Sequence, residues 1–339
     1  MKMTGRVQVV GTATLLACAV AVRAAQTQPQ SALPDWETRA VGFLVREVPK
    51  WKAENDCYSC HNNGDAARAL IAAKRSGHDI GVAMDDTIAW LREPRKWDDN
   101  KTEGGIDDKP LARVQFAGAL RLAVDADLAP ARALDNAAAA IVRDQRANGS
   151  WQLDISQSIG SPTTYGTTLA TWAAKRSLQA AGSDAFTAAV TRADAWLRTT
   201  NVETVVDAAA VVLALQTAND PAAHAQRERA LATLRDGQAP SGGWGPYVTV
   251  SAEVFDTALV ILALDEILDA PQLAEPVFSV AELRQAMARG KRYLLHRQMP
   301  DGSWPETTRP SGQESYAQRI STTGWALLAL LETRDVSEP

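Results

Sequence analysis

The sequence of 339 residues has few runs of valine, isoleucine and aromatic residues, which are the residues that favour β-strands. Alanine and leucine are abundant and only 16 prolines interrupt them, so the composition predicts a helical protein and argues against a parallel-sheet enzyme. A basic excess is also missing. The net charge of −5 argues against nucleic acid as a partner, whereas 46% hydrophobic residues allow a full core.

The first 24 residues have the composition of a secretory signal peptide. Lys2 and Arg6 precede a mostly apolar run over residues 7–22, and Ala24 ends a plausible cleavage site. The run is short for a membrane span, which needs about 20 residues, although an uncleaved anchor is an alternative. Cys18 follows a leucine-containing segment that resembles a lipoprotein cleavage site. Attachment of a lipid to Cys18 is therefore a second alternative. We therefore expect an exported, periplasmic protein.

A repeat fills the rest of the chain. Three copies of Gln-x3-Gly-x-Trp occur at 145–151, 238–244 and 298–304. Weaker copies of the helix that precedes this motif are spaced through the remaining sequence. Repeats of a few tens of residues with irregular intervals are typical of stacked supersecondary units with loop insertions. Taken together, six copies begin near residues 39, 86, 136, 192, 229 and 289.

Each repeat is predicted to form two helices. The second helix is apolar almost all round, as over residues 205–216, 255–268 and 321–332, which is typical of a helix buried on every side. Six such helical hairpins account for one all-α domain over residues 35–335.

The repeat resembles the QW repeat of the squalene cyclase and protein prenyltransferase superfamily. That resemblance implies an α/α toroid in which six inner helices are surrounded by six outer ones, with all loops within the hairpins on one rim. It also implies that the glutamines and tryptophans of the motif are structural, each tying a helix end to the next turn.

Cys57, Cys60 and His61 form the pentapeptide Cys-x-x-Cys-His, which is the attachment motif of c-type haem. A simple disulfide or part of a zinc site are the alternatives, but no cysteine follows Cys60 to complete a zinc site of the usual kind. The motif therefore predicts covalent haem c with His61 as the proximal iron ligand. Met299 and His296, in or near the sixth loop, are candidate distal ligands, and an open distal position is the alternative.

The enzymatic chemistry of the superfamily has no complete counterpart in this sequence. The Asp-x-Asp-Asp acid of class II terpene cyclases is absent, and so is the later cysteine of the zinc prenyltransferases. Asp207 and Asp256 occupy equivalent positions, each six residues before a Leu-Ala-Leu on an inner helix, and are expected to cap these helices. The alternative is that they line a cavity with Glu253, Tyr165 and Tyr247 and act as catalytic acids.

These features predict an exported haem protein that transfers electrons or senses redox state, with an acidic surface suited to a basic redox partner. The competing hypothesis is a protein that binds or converts an isoprenoid or another apolar small molecule in a cyclase-like way. A scaffold without chemistry is a third. Whether the chain is an enzyme is left open by the sequence.

Overall fold

The computed structural model describes residues 35–100, 108–152, 159–270, 276–309 and 311–334. The predicted signal peptide, which includes Cys18, and the last residue of the predicted domain lie outside these ranges. Twelve α-helices occur over the described residues, without any β-strand there. The outer helices are α1 (Asp35–Asn55), α3 (Asp85–Leu91), α5 (Arg132–Ile141), α7 (Thr187–Leu197), α9 (Pro221–Asp236) and α11 (Val280–Arg297). The inner helices are α2 (Ala67–Arg75), α4 (Lys109–Asp125), α6 (Gly166–Ala181), α8 (Val205–Leu215), α10 (Val254–Leu268) and α12 (Tyr316–Glu332).

The six inner helices form a closed ring. Each packs against the next in chain order, and α12 packs against α2 to complete the circle. The outer helices pack on the outside of this ring, and α1 contacts both α2 and α12. The predicted α/α toroid of six helical hairpins is therefore confirmed.

The apolar character of the inner helices explains why they occupy the ring. In α8 every residue except Asp207 is buried, and in α12 the burial is continuous from Ile320 to Leu331. A helix without a polar face is stable only when other helices cover it on all sides. The predicted inner segments agree with the observed bounds, apart from α12, which begins five residues earlier at Tyr316.

Three repeats carry the complete Gln-x3-Gly-x-Trp motif, and we call them the clear repeats. The glutamine of each clear repeat connects its loop to the next outer helix. Its side-chain amide donates to a backbone carbonyl of that helix, and its oxygen accepts from the arginine of the next repeat. In the sixth repeat the next helix is α1, so the same contact closes the ring. The amide donations are from Gln145 to Ala189 (2.8 Å), from Gln238 to Ala286 (2.8 Å) and from Gln298 to Trp36 (2.8 Å).

The tryptophan of each clear repeat is fully buried beneath its loop. Its indole N–H donates to the carbonyl of the residue ten positions earlier, near the end of the preceding outer helix. The motif residues are thus structural, as the resemblance implies. The donations are from Trp151 to Ile141 (2.9 Å), from Trp244 to Leu234 (2.6 Å) and from Trp304 to Leu294 (2.7 Å).

Candidate functional site

A cavity of about 450 Å³ opens on the rim where the inner helices begin. Its volume falls within the range of about 300–1,000 Å³ that is usual for small-molecule sites. Its surface is mainly apolar, and we call it the mouth cavity. Its lining residues come from the first, second, third and sixth hairpins, and its aromatic residues are Trp51, Tyr58, Trp97, Phe116 and Tyr316.

The Cys-x-x-Cys-His segment lines the mouth cavity. Cys57 is buried and Cys60 is half-buried, and both are free thiols. Asn100 holds this segment in place, since its side chain accepts from the backbone N–H of Tyr58 (2.9 Å) and donates to the carbonyl of the same residue (2.5 Å). The structure therefore brings both thiols and the imidazole of His61 to one cavity wall.

His61 begins a π-helical turn, His61–Ala66, that runs directly into α2. Its Nδ1 lies 3.1 Å from the hydroxyl oxygen of Ser321 on α12, and its Nε2 lies 3.7 Å from the sulfur of Cys60. Burial lowers the pKa of His61 to about 4, so the imidazole is neutral at pH 7. Burial also raises the pKa of the Cys60 thiol to about 12, which keeps this sulfur protonated.

Asp65 is a buried carboxylate beneath the mouth cavity that the sequence analysis missed as a site residue. The phenol of Tyr165 donates to one of its oxygens, and the side-chain amide of Gln115 donates to the other at 2.8 Å. The sequence did contain one indication that Asp65 belongs to the site. Asp65 follows His61 by four residues, so the two side chains share a helix face. The contact with Tyr165 spans a hundred residues and carried no such signal.

Burial raises the pKa of Asp65 to about 6, and hydrogen bonds from Tyr165, Ser321 and Gln115 and the charge of Arg68 oppose this rise. The folded protein therefore binds a proton on Asp65 more tightly than the unfolded chain does. Its contribution to stability is complete below pH 3.8, the ordinary value, and is lost as pH rises through about 6.

Replacing Asp65 with asparagine should make stability less dependent on pH. Relative to the variant, the wild type should lose about 2 kcal/mol of unfolding free energy between pH 4 and pH 7.5, since each pKa unit corresponds to about 1.4 kcal/mol and part of the change lies below pH 4. Urea denaturation at a series of pH values measures this difference. Tyr165→Phe removes a hydrogen bond that lowers the pKa of Asp65, so stability should fall more steeply with pH in this variant. If stability depends equally on pH in the wild type and in Asp65→Asn, the raised pKa of Asp65 is contradicted.

The axis of the ring is filled by side chains. The guanidinium of Arg68 lies 4.3 Å from the ring centre of Trp325, and the rings of Tyr165 and Phe255 meet Trp325 edge-on at 5.9 and 5.6 Å. All four side chains are buried. Among the described residues, these four side chains therefore occupy the centre of the ring, and the mouth cavity lies at its end.

Asp207 and Asp256 have different roles. Asp207 contributes to capping α8, but the N-cap residue is Thr204; the two form a capping box, because each side chain accepts from the backbone N–H of the other. Asp256 is fully buried and does not cap its helix; it accepts from Arg309 at 3.0 Å, and Arg309 also pairs with Glu253 at 2.7 Å. The capping prediction was wrong for Asp256, since the arginine of the sixth loop reaches its carboxylate.

Burial raises the pKa of Asp256 to about 7, while the charge of Arg309 opposes the rise. Neither Asp207 nor Asp256 lines the mouth cavity, and neither do Glu253 and Tyr247. Tyr165 lies beneath the cavity against Asp65. The predicted ring of these residues around one cavity is not what the structure shows.

The predicted distal ligands do not line the mouth cavity. The sulfur of Met299 lies 3.7 Å from the hydroxyl of Ser303 and 3.7 Å from the guanidinium of Arg319, and His296 is exposed on α11. The sixth hairpin does lie beside the first, as predicted: Asn62 donates to the hydroxyl of Tyr316 at the start of α12 (3.0 Å), and Ser315 of the sixth loop lines the same cavity as Cys57.

Two carboxylates line the mouth cavity, and each already has partners. Asp98 pairs with Arg113 at 2.8 Å, which holds its pKa below the ordinary value. Asp108 accepts from the backbone N–H of Leu111 and caps α4. Neither is arranged as a protonated acid that could activate an alkene.

Within the part of the chain that the structure describes, no group of three or more histidine, cysteine, aspartate or glutamate side chains is arranged to hold a metal ion. None of the helices described is long and apolar enough to cross a membrane.

Comparison with known proteins agrees with this geometry. The model of the squalene-hopene cyclase C-terminal domain matches residues 201–339. The chain has the α/α toroid fold. No curated protein matches the sequence.

Solved structures share the fold at low sequence identity. Type II terpene cyclase MstE from Scytonema is 14% identical, with a TM-score of 0.55 over 90% of this chain and 100% of that one. A variant of MstE in complex with its substrate geranylgeranyl dihydroxybenzoate is 15% identical, with a TM-score of 0.55 over 89% and 98%. A possible GH105 family member from Salmonella enterica is 11% identical, with a TM-score of 0.56 over 90% and 95%. The same toroid thus accompanies different chemistries.

Proposed function

We propose that the mouth cavity holds one haem, covalently attached through Cys57 and Cys60 with His61 as the proximal iron ligand. In this proposal the protein is exported and serves electron transfer or redox sensing. The observation that carries it is that both free thiols and a neutral imidazole line the same aromatic cavity of about 450 Å³.

The residues present fit the group. Each thiol would add across one haem vinyl group, its sulfur bonding to the carbon beside the ring and its hydrogen to the terminal carbon, so attachment needs no oxidant. His61 is neutral and so has an unprotonated nitrogen for iron. The bound haem supplies one-electron chemistry between ferric and ferrous iron.

The chain itself provides the surroundings. Most of the cavity surface is apolar, and Tyr58 in its wall is held flat against Trp90 with ring centres 4.4 Å apart. Among the described lining residues, His61 is the sole histidine or methionine, which favours an open distal position over Met299 or His296. The opening on the rim leaves the cavity accessible to a redox partner, and the acidic chain suits a basic one.

A second candidate function is binding of an isoprenoid in the same cavity. It is supported by the largely apolar wall and by the fold shared with MstE, which binds geranylgeranyl dihydroxybenzoate. Conversion of such a ligand by protonation is less well supported, because Asp98 and Asp108 are committed to other contacts.

The test is expression in a bacterial periplasm together with haem-attachment machinery. We expect a coloured protein whose haem spectrum stays with the chain after denaturation, and complete loss of covalent haem in Cys57→Ala/Cys60→Ala. Tyr58→Phe lies inside the motif and keeps both thiols, so it should remain coloured. A colourless wild type would refute the haem proposal, and an isoprenoid extracted from it would support the second candidate.

A further inference from the structure

A buried polar contact connects the wall of the mouth cavity to the protein interior. Nδ1 of His61 lies 3.1 Å from the hydroxyl oxygen of Ser321, a residue of α12 with no exposed surface. The same hydroxyl hydrogen-bonds to the carboxylate of Asp65 and lowers the pKa of that group. His61, Ser321 and Asp65 thus form a continuous chain of hydrogen bonds.

The charge of the Asp65 carboxylate determines which group donates in each of these hydrogen bonds. An ionised carboxylate has no proton to donate, so Ser321 must donate its hydroxyl proton to Asp65. The serine oxygen can then only accept a hydrogen bond from His61. Nδ1 of His61 must therefore carry a proton and donate it to that oxygen. Tyr165 and Gln115 also donate to Asp65, which leaves the carboxylate surrounded by donors.

We propose that Ser321 and Asp65 are positioning residues that hold His61 as its Nδ1–H tautomer, with Nε2 unprotonated and available as a ligand to haem iron. This inference rests on the proposed function. A hydrogen bond from Nδ1 toward a carboxylate increases the electron density on the imidazole. With haem bound, the chain of bonds would therefore favour ferric iron and would lower the midpoint potential.

The first test uses the haem-free full chain at pH 8 and nitrogen-15 NMR of the histidine rings, with His61→Ala to assign the signal. We expect His61 of the wild type to be predominantly Nδ1–H, and Ser321→Ala and Asp65→Asn to lose this preference. Thr322→Ala removes a neighbouring buried hydroxyl of α12 that contacts the backbone of Thr307, so it should leave the tautomer unchanged.

The second test measures the midpoint potential of the haem-loaded protein. Ser321→Ala should shift the potential upward, and Ser321→Thr, which retains a hydroxyl, should restore much of the wild-type value. Loaded protein with an unchanged tautomer and potential in Ser321→Ala would overturn this inference and leave haem attachment standing. A wild type that acquires no haem would overturn both.

Discussion

Gly302→Ala should destabilise the toroid by about 3–5 kcal/mol, because two costs add at this position. Gly302 has a φ of +94°, where a side chain is strained, and a Cβ there would lie 2.2 Å from the carbonyl oxygen of Arg39. Arg39 belongs to α1, so the clash falls where the sixth repeat meets the first. Urea denaturation should show a lower midpoint with an unchanged slope.

Gly77→Ala is the matched control for this prediction. Gly77 has nearly the same φ, +92°, but nothing lies within 4 Å of a Cβ built there. The alanine variant should therefore lose only the conformational part, about 1–2 kcal/mol. Equal losses at the two glycines would show that the close approach to α1 does not contribute.

Trp244→Ala should cost about 3–5 kcal/mol, the range typical of removing a large aromatic side chain from a core. Trp244 is fully buried, and its ring packs so closely on Gly290 that a Cβ on that glycine would lie 2.8 Å from it. Its indole also donates to the carbonyl of Leu234. Thermal or urea unfolding measures the loss.

Two further variants separate the contributions at this position. Trp244→Phe keeps most of the ring but leaves the Leu234 carbonyl without its indole donor, so it should lose less than the alanine variant. Trp196→Ala removes a half-buried tryptophan of α7 and should cost distinctly less than Trp244→Ala. A loss at Trp244 no larger than at Trp196 would contradict the structural role of the repeat.

The fold of this chain does not by itself imply a haem site. The toroid is shared with terpene cyclases and with a possible GH105 family member, so the fold by itself does not choose a chemistry. The choice rests on Cys57, Cys60 and His61, which occupy the first loop at the mouth. The filled axis of the ring around Trp325 further limits where any ligand can bind.

Much of the fold could be predicted from the sequence because its determinants are local and repeated. The Gln-x3-Gly-x-Trp spacing and the apolar inner helices recur along the chain, and each repeat folds into the same hairpin. The role of Asp207 was also predictable, since its partner Thr204 lies three residues away.

What only the tertiary structure decided involves contacts across the ring. His61 meets Ser321 over 260 residues, Asp65 meets Tyr165 over 100, and Arg309 reaches Asp256 over 53. These pairings depend on the order of helices around the closed ring and on the paths of the long loops, which a local pattern does not encode. The sequence by itself determined the toroid and the Cys-x-x-Cys-His motif; ring closure decided which side chains surround that motif.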